Sequence, residues 1–274
     1  MKVAIFGSNG MAGHIIVNYL RSHGHHVLTI ARSDAEKVCN IEDIVETSRV
    51  VDELSDDYDY VINCIGLLVK ESIDRPDRAA IINSWFPHFL EYRFKNLRTK
   101  LIHLSTDCVF DGKQGPYIES DIHSEINAYG QSKSFGEVNN NKDITFRMSI
   151  IGPELKSNGT GLLHWITTSS EKELNGWNNA WWNGITTLQL AKCINKHMHD
   201  QIITGVYHLV NNNVCINKYQ LLCKINEIYQ LDKKINDTVG PKTINKILVD
   251  TRKLVDFNIP DYDTQLLQLK NWSQ

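Results

Sequence analysis

Lys2-Val3-Ala4-Ile5-Phe6-Gly7-Ser8-Asn9-Gly10-Met11-Ala12-Gly13 opens the chain. A short apolar strand runs into a turn with glycine at every third position. Ile15, Ile16, Tyr19 and Leu20 then recur at helical spacing. Strand, glycine-rich turn and amphipathic helix, in that order, are the context of a dinucleotide site. Gly7 allows the tight turn, Gly10 lets backbone N–H groups approach a pyrophosphate, and Gly13 lets the helix pack closely on the sheet. The helix N-terminus then faces the phosphates. Gly7, Ser8, Asn9, Gly10 and Met11 are the expected contacts.

The spacing predicts strands over His26 to Ile30, Tyr60 to Gly66, Lys100 to Leu104, Ile144 to Ile151 and Val206 to Val210. Helices are expected over Ile44 to Leu54, Ala79 to Phe94, Asn127 to Asn139, Leu188 to His199, Ile216 to Tyr229 and Leu266 to Trp272. Apolar strands alternating with helices read as an α/β fold, a Rossmann-like doubly wound parallel sheet. After Gly152-Pro153 the alternation loosens. A small C-terminal α/β substrate lobe is expected from residues 153–184 and 211–274. The nucleotide-binding domain takes 1–152, with 185–210 returning to it.

At the end of the second strand a NAD-selective site would carry an acidic residue. Here the chain reads Ala31-Arg32-Ser33. An arginine suits a 2′-phosphate by charge and by its forked donors, which favours NADP. The alternative is a solvated surface arginine.

A second stretch carries the chemistry. Ser105-Thr106-Asp107-Cys108-Val109-Phe110-Asp111-Gly112 follows a buried strand, and Tyr129-Gly130-Gln131-Ser132-Lys133 comes after a polar loop. Tyr129 and Lys133 are four residues apart, on one face of a helix. A nearby ammonium should lower the phenol from its usual value of about 10. Thr106, at the strand end, could hold a carbonyl oxygen. The three together form a proton-delivery device for a ketone or alcohol.

This order resembles the extended short-chain dehydrogenase/reductase family. Ser105-Thr106-Asp107 through Gly112, with Tyr129-Gly130, Ser132-Lys133 and Gly136-Glu137, looks like its dTDP-4-dehydrorhamnose reductase branch. The resemblance implies NADPH-dependent reduction of the C4 ketone of a nucleotide-linked 4-keto-6-deoxyhexose. Tyr129 would protonate the oxygen and Lys133 would also hold the nicotinamide ribose. It implies further cofactor contacts at Asn40, Ile41, Cys64, Ile65 and Gly66. Asn83 would brace the active-site strands. Substrate contacts would fall at Lys70, Thr106, Trp182 and Asn183.

Three departures matter. Cys108 stands where simple rhamnose reductases commonly carry Tyr. The loop before Tyr129, Ser124-Glu125-Ile126-Asn127, lacks the usual Pro. Gly152-Pro153-Glu154-Leu155-Lys156 and Gly161-Leu162-Leu163-His164-Trp165 also differ. Related GDP-fucose synthases carry a proton-moving cysteine at the position of Cys108. The closer resemblance is therefore to bifunctional synthases that epimerise C3 or C5 and reduce C4, of the UDP-L-rhamnose or UDP-N-acetyl-L-rhamnosamine type. The bland alternative for Cys108 is a small buried thiol. Lys156, His164 or Lys172 could supply a proton on the opposite face.

Composition narrows the classes. The 274 residues are 42% hydrophobic and 22% charged, with a formal net charge of -3. That balance gives no reason to expect nucleic acid or an anionic membrane as partner. No apolar run approaches the roughly 20 residues of a membrane span. The six cysteines form no CxxC pair, which suggests free thiols in a reducing, cytoplasmic setting. The expected partner is a nucleotide sugar, and a homodimer is compatible with the resemblance. No metal site is expected: His197 and His199, two apart on a helix, point different ways. His23, His25 and His26 are expected to be solvated and Arg147 to be a paired core charge. Trp165, Trp177, Trp181 and Trp182 either stack on a ligand or pack the lobe.

Overall fold

The computed structural model describes residues 1–201, 203–212 and 214–272. Its centre is a seven-stranded sheet. Six of its strands are β1 (Lys2–Phe6), β2 (His26–Ala31), β3 (Lys37–Val38), β4 (Tyr60–Asn63), β5 (Lys100–Thr106) and β6 (Ile144–Met148). With Gly205–His208 beyond β6, the spatial order is Gly205–His208, β6, β5, β4, β1, β2, β3, and every pairing is parallel.

The continuous apolar runs have a direct cause. A parallel sheet is covered on both faces, so both sets of alternating side chains are buried. In β1, Val3 and Ile5 join Ile15, Ile16 and Leu20 of helix Gly13–Ser22, with Leu190, Ile194 and Met198 of helix Thr187–Asp200. Ala4 and Phe6 face the other way, onto Val50 and Val51 of helix Ile44–Leu54 and Phe86, Leu90 and Phe94 of helix Phe86–Phe94. The sheet is doubly wound, as expected.

Strand order reverses at β1, which pairs β2 on one side and β4 on the other. Ligands in such folds bind beyond the carboxyl ends of the strands at this switch. Gly7, Cys64 and Thr106 follow β1 and β4 and end β5, so all three lie on that rim.

Beyond Gly152 the chain builds small sheets. Ala180–Trp182 pairs Ile216–Asn217 antiparallel and Ile244–Asn245 parallel, and Glu173–Trp177 pairs Lys234–Thr238. Leu163, Leu174, Trp182, Leu221 and Leu266 continue the cluster that underlies helix Gly13–Ser22. One apolar core therefore joins these sheets to the large one.

Several boundaries differ from expectation. The strand expected through Ile151 breaks at Ser149, and Ile150–Ile151 pairs Ile185–Thr186 instead. The helix expected to Asn139 ends at Phe135. At Gly136 the backbone presses on residue 83: a Cβ there would lie 1.8 Å from the Asn83 carbonyl oxygen. The helix expected from Ile216 starts at Lys218, after Asn217 closes a capping box with Gln220. Between Pro76 and Phe94 the helical path widens into a π segment over Ala80–Trp85. Such segments often mark functional positions, and this one carries Asn83.

Candidate active site

The glycine turn is held by backbone contacts. Gly7 has φ +79°, and its N–H donates to the Ile30 carbonyl at 2.8 Å. A Cβ on Gly7 would fall 3.0–3.1 Å from Ile65 and the Cys64 carbonyl carbon, and one on Gly13 would lie 2.1 Å from the Gly7 carbonyl oxygen. Only glycine lets the turns after β1 and β4 approach this closely. Ser8 is buried, while Asn9 donates to the Ser33 and Asp34 carbonyls at 2.7 and 3.2 Å. That ties the turn to the end of β2, where Arg32 is exposed. Ile41 is buried beside exposed Asn40, whereas Cys64 and Ile65 are half-buried and Gly66 is exposed. Met11 sits under Gly161, where a Cβ would be 3.6 Å from its sulfur.

The second group forms where β5 meets helix Ala128–Phe135. Asn127 caps that helix by accepting from Gly130 N at 2.9 Å. Gly130 packs on the turn after β5: a Cβ there would be 2.5 Å from the Cys108 carbonyl oxygen. Buried Thr106 accepts from Cys108 N at 3.1 Å and donates to Asp107 Oδ1 at 3.2 Å. Asn83 accepts from Leu67 N at 2.8 Å and donates to Ser132 Oγ at 3.0 Å. It thus clamps the turn after β4 to the helix that carries Tyr129 and Lys133.

The electrostatics differ from expectation. Burial pushes the Tyr129 phenol above its ordinary value. The Cys108 thiol adds to the rise, the Thr106 hydroxyl opposes it, and the Asp107 carboxylate adds a further rise. Lys133 is not among the groups that move it. The Lys133 ammonium is buried, donates to the Leu104 carbonyl at 2.7 Å, and is pushed down to about 8, chiefly by burial. The expected lowering of the phenol is therefore not seen: burial dominates and raises it, and Lys133 Nζ donates to the Leu104 carbonyl on β5.

A buried network supports the far end of the same helix. Glu137 accepts from Ser105 Oγ at 2.6 Å and is bidentate with Arg147, at 2.8 and 2.5 Å. Arg147 also meets His208 Nε2 at 2.8 Å and His123 Nε2 at 2.7 Å. The core pairing expected of Arg147 is present.

The turn Thr106-Asp107-Cys108 faces residues for which the sequence carried no motif. Burial first, then Asp107, pushes the Cys108 thiol up to about 12, and Lys246 opposes this. Asp107 is also raised by burial, with Lys246 and Lys218 holding it down. Lys246 Nζ lies 3.5 Å from Glu125 Oε2, and Lys218 Nζ lies 5.0 Å from the centre of the Trp182 ring. Trp182 is itself buried, stacks on Tyr262 and donates to Ser149 Oγ at 2.7 Å. Asn183 spends both ends of its amide on the Leu248 backbone, at 2.7 and 3.0 Å. These contacts hold both side chains in place. Lys70 is exposed on the short helix Val69–Asp74. Gly159, between Lys156 and His164, packs with Gly161 on Glu154, and Gly161 reaches Met11, which puts that loop on the glycine-turn side. Lys172 is exposed, and its carbonyl accepts from Lys234 N at 2.8 Å.

Other expectations resolve simply. His25 is buried and bonded to Asn195 at 2.8 Å, because the turn into β2 carries it under helix Thr187–Asp200, whereas His23 and His26 are exposed. Trp165, Trp177 and Trp181 keep more than a third of their surface open. Among the described residues all six cysteines are free, no cluster could hold a metal, and no helix is long and apolar enough to cross a membrane.

The chain is similar to known proteins. A probable low-salt glycan biosynthesis reductase, Agl14, of Haloferax volcanii is 37% identical over 144 residues, 50% of this chain and 48% of that protein. The chain thus spans about half the length of this curated relative. The methionine adenosyltransferase 2 subunit beta of Rattus norvegicus is 26% identical over 94% of this chain and 83% of its own. The crystal structure of dTDP-4-dehydrorhamnose reductase from Bacillus anthracis, solved with NADP, shares the fold with a TM-score of 0.82 at 20% identity, covering 99% of each chain. A family model described as the RmlD substrate binding domain matches residues 1–248, and the chain belongs to that family.

Proposed function

We propose that the chain is an NADPH-dependent reductase of the C4 ketone in a nucleotide-linked 4-keto-6-deoxyhexose. The observation that carries this is the meeting of Thr106, Tyr129 and Lys133 on the rim that also holds the glycine turn. The residues fit a dinucleotide: Gly7 leaves no side chain between the two turns, and Arg32 stands exposed at the end of β2. When bound, the nicotinamide would supply the hydride. The Tyr129 phenol, protonated at neutral pH by its burial, gives its proton to the oxygen that becomes the hydroxyl. Thr106 orients that oxygen. Lys133 would hold the nicotinamide-side ribose, and Cys64, Ile65 and Gly66 would line its site. An acid placed this way contributes about 10²–10⁴-fold.

Cys108 extends the reading to epimerisation at C3 or C5. Those carbons are acidified by the neighbouring carbonyl, and the thiol lies two residues from Thr106. The Haloferax volcanii relative is described as a probable reductase, and the Bacillus anthracis reductase was solved with NADP; the two support reduction with that cofactor. The rat subunit, aligned over most of this chain, favours a second reading: a regulatory subunit that binds NADP without chemistry. The intact Thr106, Tyr129 and Lys133 weigh against it. Incubation with NADPH and a panel of UDP-, dTDP- and GDP-4-keto-6-deoxy sugars decides. Oxidation of NADPH with one sugar supports the reductase, and tight NADPH binding without turnover on any sugar supports the subunit.

A further inference from the structure

His103 is fully buried in β5 and takes no part in the reaction above, and Asn63 is fully buried beside it at the end of β4. In register, Phe6, Asn63, His103 and Thr145 stand side by side across β1, β4, β5 and β6. Paired positions of a parallel sheet put their side chains on one face. Phe6 offers the row nothing polar. Thr145 spends its hydroxyl on Val138, donating to the carbonyl at 2.7 Å and accepting from the N–H at 3.1 Å. Asn63 remains, with its Nδ2 at 3.2 Å from His103 Nδ1.

The protons on these two side chains are then determined. The Ile65 N–H can only donate, so the Asn63 atom 3.1 Å from it is the amide oxygen. That turns the amide nitrogen, which can only donate, toward the imidazole. His103 Nδ1 must therefore accept, and in a neutral ring the proton sits on Nε2. Nε2 is buried and has no hydrogen-bond partner among the described residues. Burial first, then the charges of Lys133 and His88, push the ring well below its ordinary value and keep it neutral. An unpaired buried donor is unfavourable. An apolar side chain of similar size would avoid it. Packing alone therefore does not account for a histidine here, whereas the need for an acceptor at Nδ1 does.

The Asn63 oxygen holds the turn after β4. Asn83 holds the same turn further along, accepting from Leu67 N at 2.8 Å, and exposed Gly66 lies between the two anchors. Ile65 also sits against the glycine turn: a Cβ on Gly7 would fall 3.0 Å from Ile65 Cγ1 and 3.1 Å from Ile65 N. A shift of Ile65 would disturb both turns.

We propose that His103 is a positioning residue: by accepting from Asn63 it keeps the Asn63 oxygen on Ile65 N and so fixes the 64–66 turn for the nicotinamide half of the cofactor. This rests on the reading of that turn as the lining of the nicotinamide-side ribose site. Without an acceptor at residue 103 the Asn63 amide is free to rotate, and the Ile65 N–H loses its partner.

Two substitutions separate an acceptor from a packing role. His103→Leu fills the space and accepts nothing, whereas His103→Asn accepts at the place of Nδ1 and leaves the space unfilled. Calorimetry with NADPH and with 2′,5′-ADP, which has no nicotinamide, reads the difference. His103→Leu should weaken NADPH at least about fivefold and leave 2′,5′-ADP within about twofold, and His103→Asn should keep both near wild type. In an Asn63→Ala background the leucine change should cost less than about twofold. A leucine variant near wild type overturns the proposal, and so does an equal loss for both ligands or in both variants. Hydrogen exchange at the Ile65 amide gives a readout without ligand. It should speed up in His103→Leu, or in His103→Met if the leucine variant does not fold, and stay slow in His103→Asn. Exchange unmoved in the apolar variant also overturns the proposal. Wild type that binds no NADPH sinks the cofactor reading instead, and the exchange result still decides whether His103 holds the turn.

Discussion

Lys133 Nζ donates to the carbonyl oxygen of Leu104 at 2.7 Å, two residues before Thr106 on the same strand. This bond joins helix Ala128–Phe135 to β5 and fixes the ammonium against the strand. Lys133 is pushed down to about 8 by burial, partly offset by Glu137 and Cys64, while the Tyr129 phenol is pushed up. An alkaline limb in kcat/KM near pH 8 therefore belongs to the lysine and not to the tyrosine. Lys133→Arg, which keeps its charge, should move that limb out of the measured range. A limb that stays at the same pH in the arginine variant would assign it elsewhere.

Tyr129→Phe removes the phenolic proton and keeps the ring. Turnover should fall at least about 100-fold while NADPH binding persists. Stopped-flow reduction and calorimetry on one preparation measure both. A variant with near-normal turnover would place the acid on another residue.

Arg32 is exposed at the end of β2, and the neighbouring Glu42 is already taken by Arg78 at 2.6 Å through both oxygens. Glu42 is therefore a weak competitor for Arg32. A charge-assisted contact from Arg32 to a 2′-phosphate is worth about 1.5–3 kcal/mol, so NADPH should bind at least about tenfold more tightly than NADH. Arg32→Ala should remove most of that preference. Equal affinities in the wild type would end the argument.

His208 is fully buried and its Nε2 accepts from Arg147 at 2.8 Å, while Nδ1 donates to the Val249 carbonyl at 3.0 Å. Both nitrogens are committed to the neutral ring. Burial, then Arg147, pushes His208 down to about 4, and His123 on the other side of Arg147 is lowered as well. The unfolded chain, with His near 6.5, binds the proton that the folded chain refuses. Stability is thus fully present above about pH 6.5 and falls as pH drops toward 4, by about 2–3 kcal/mol for His208. Urea unfolding at pH 7 and 5 should show the loss, and His208→Gln should flatten it. An equal slope in that variant would assign the loss to the carboxylates.

Much of this was legible in the sequence, because parallel strands buried on both faces leave continuous apolar runs and a turn without Cβ atoms leaves its glycines. Ser105-Thr106 and Tyr129-Gly130-Gln131-Ser132-Lys133 were legible as local patterns. Gly130 and Gly136 gain their meaning only from what they touch, the Cys108 carbonyl and the Asn83 carbonyl. Lys218 and Lys246 left no signal. They reach the site through pairings distant in sequence, Asn217 with Trp181 and Tyr117 with Leu248. The direction of the Tyr129 shift was also hidden, since spacing places a lysine nearby but says nothing about burial or where its proton goes.

Cys108 yields the sharpest test of epimerisation. Inverting a carbon next to the ketone requires removal of a proton from one face and return of one to the other. A free cysteine, near 8.5, would serve in both directions. In this structure the thiol is pushed up to about 12, by burial and by Asp107, against the pull of Lys246. At neutral pH it is therefore protonated, and only a small thiolate fraction can act as base. That fraction grows about tenfold per pH unit below the pKa. In D₂O the product should carry deuterium at C3, C5 or both, with exchange rising steeply between pH 7 and 9. Hydride transfer, served by a phenol that keeps its proton, should not rise with it. Cys108→Ser should lose most of the deuterium, keep NADPH binding, and still reduce a substrate already epimerised. Product free of solvent deuterium at both carbons across that range would leave Cys108 as a thiol packed at the end of β5, and the enzyme as a simple reductase.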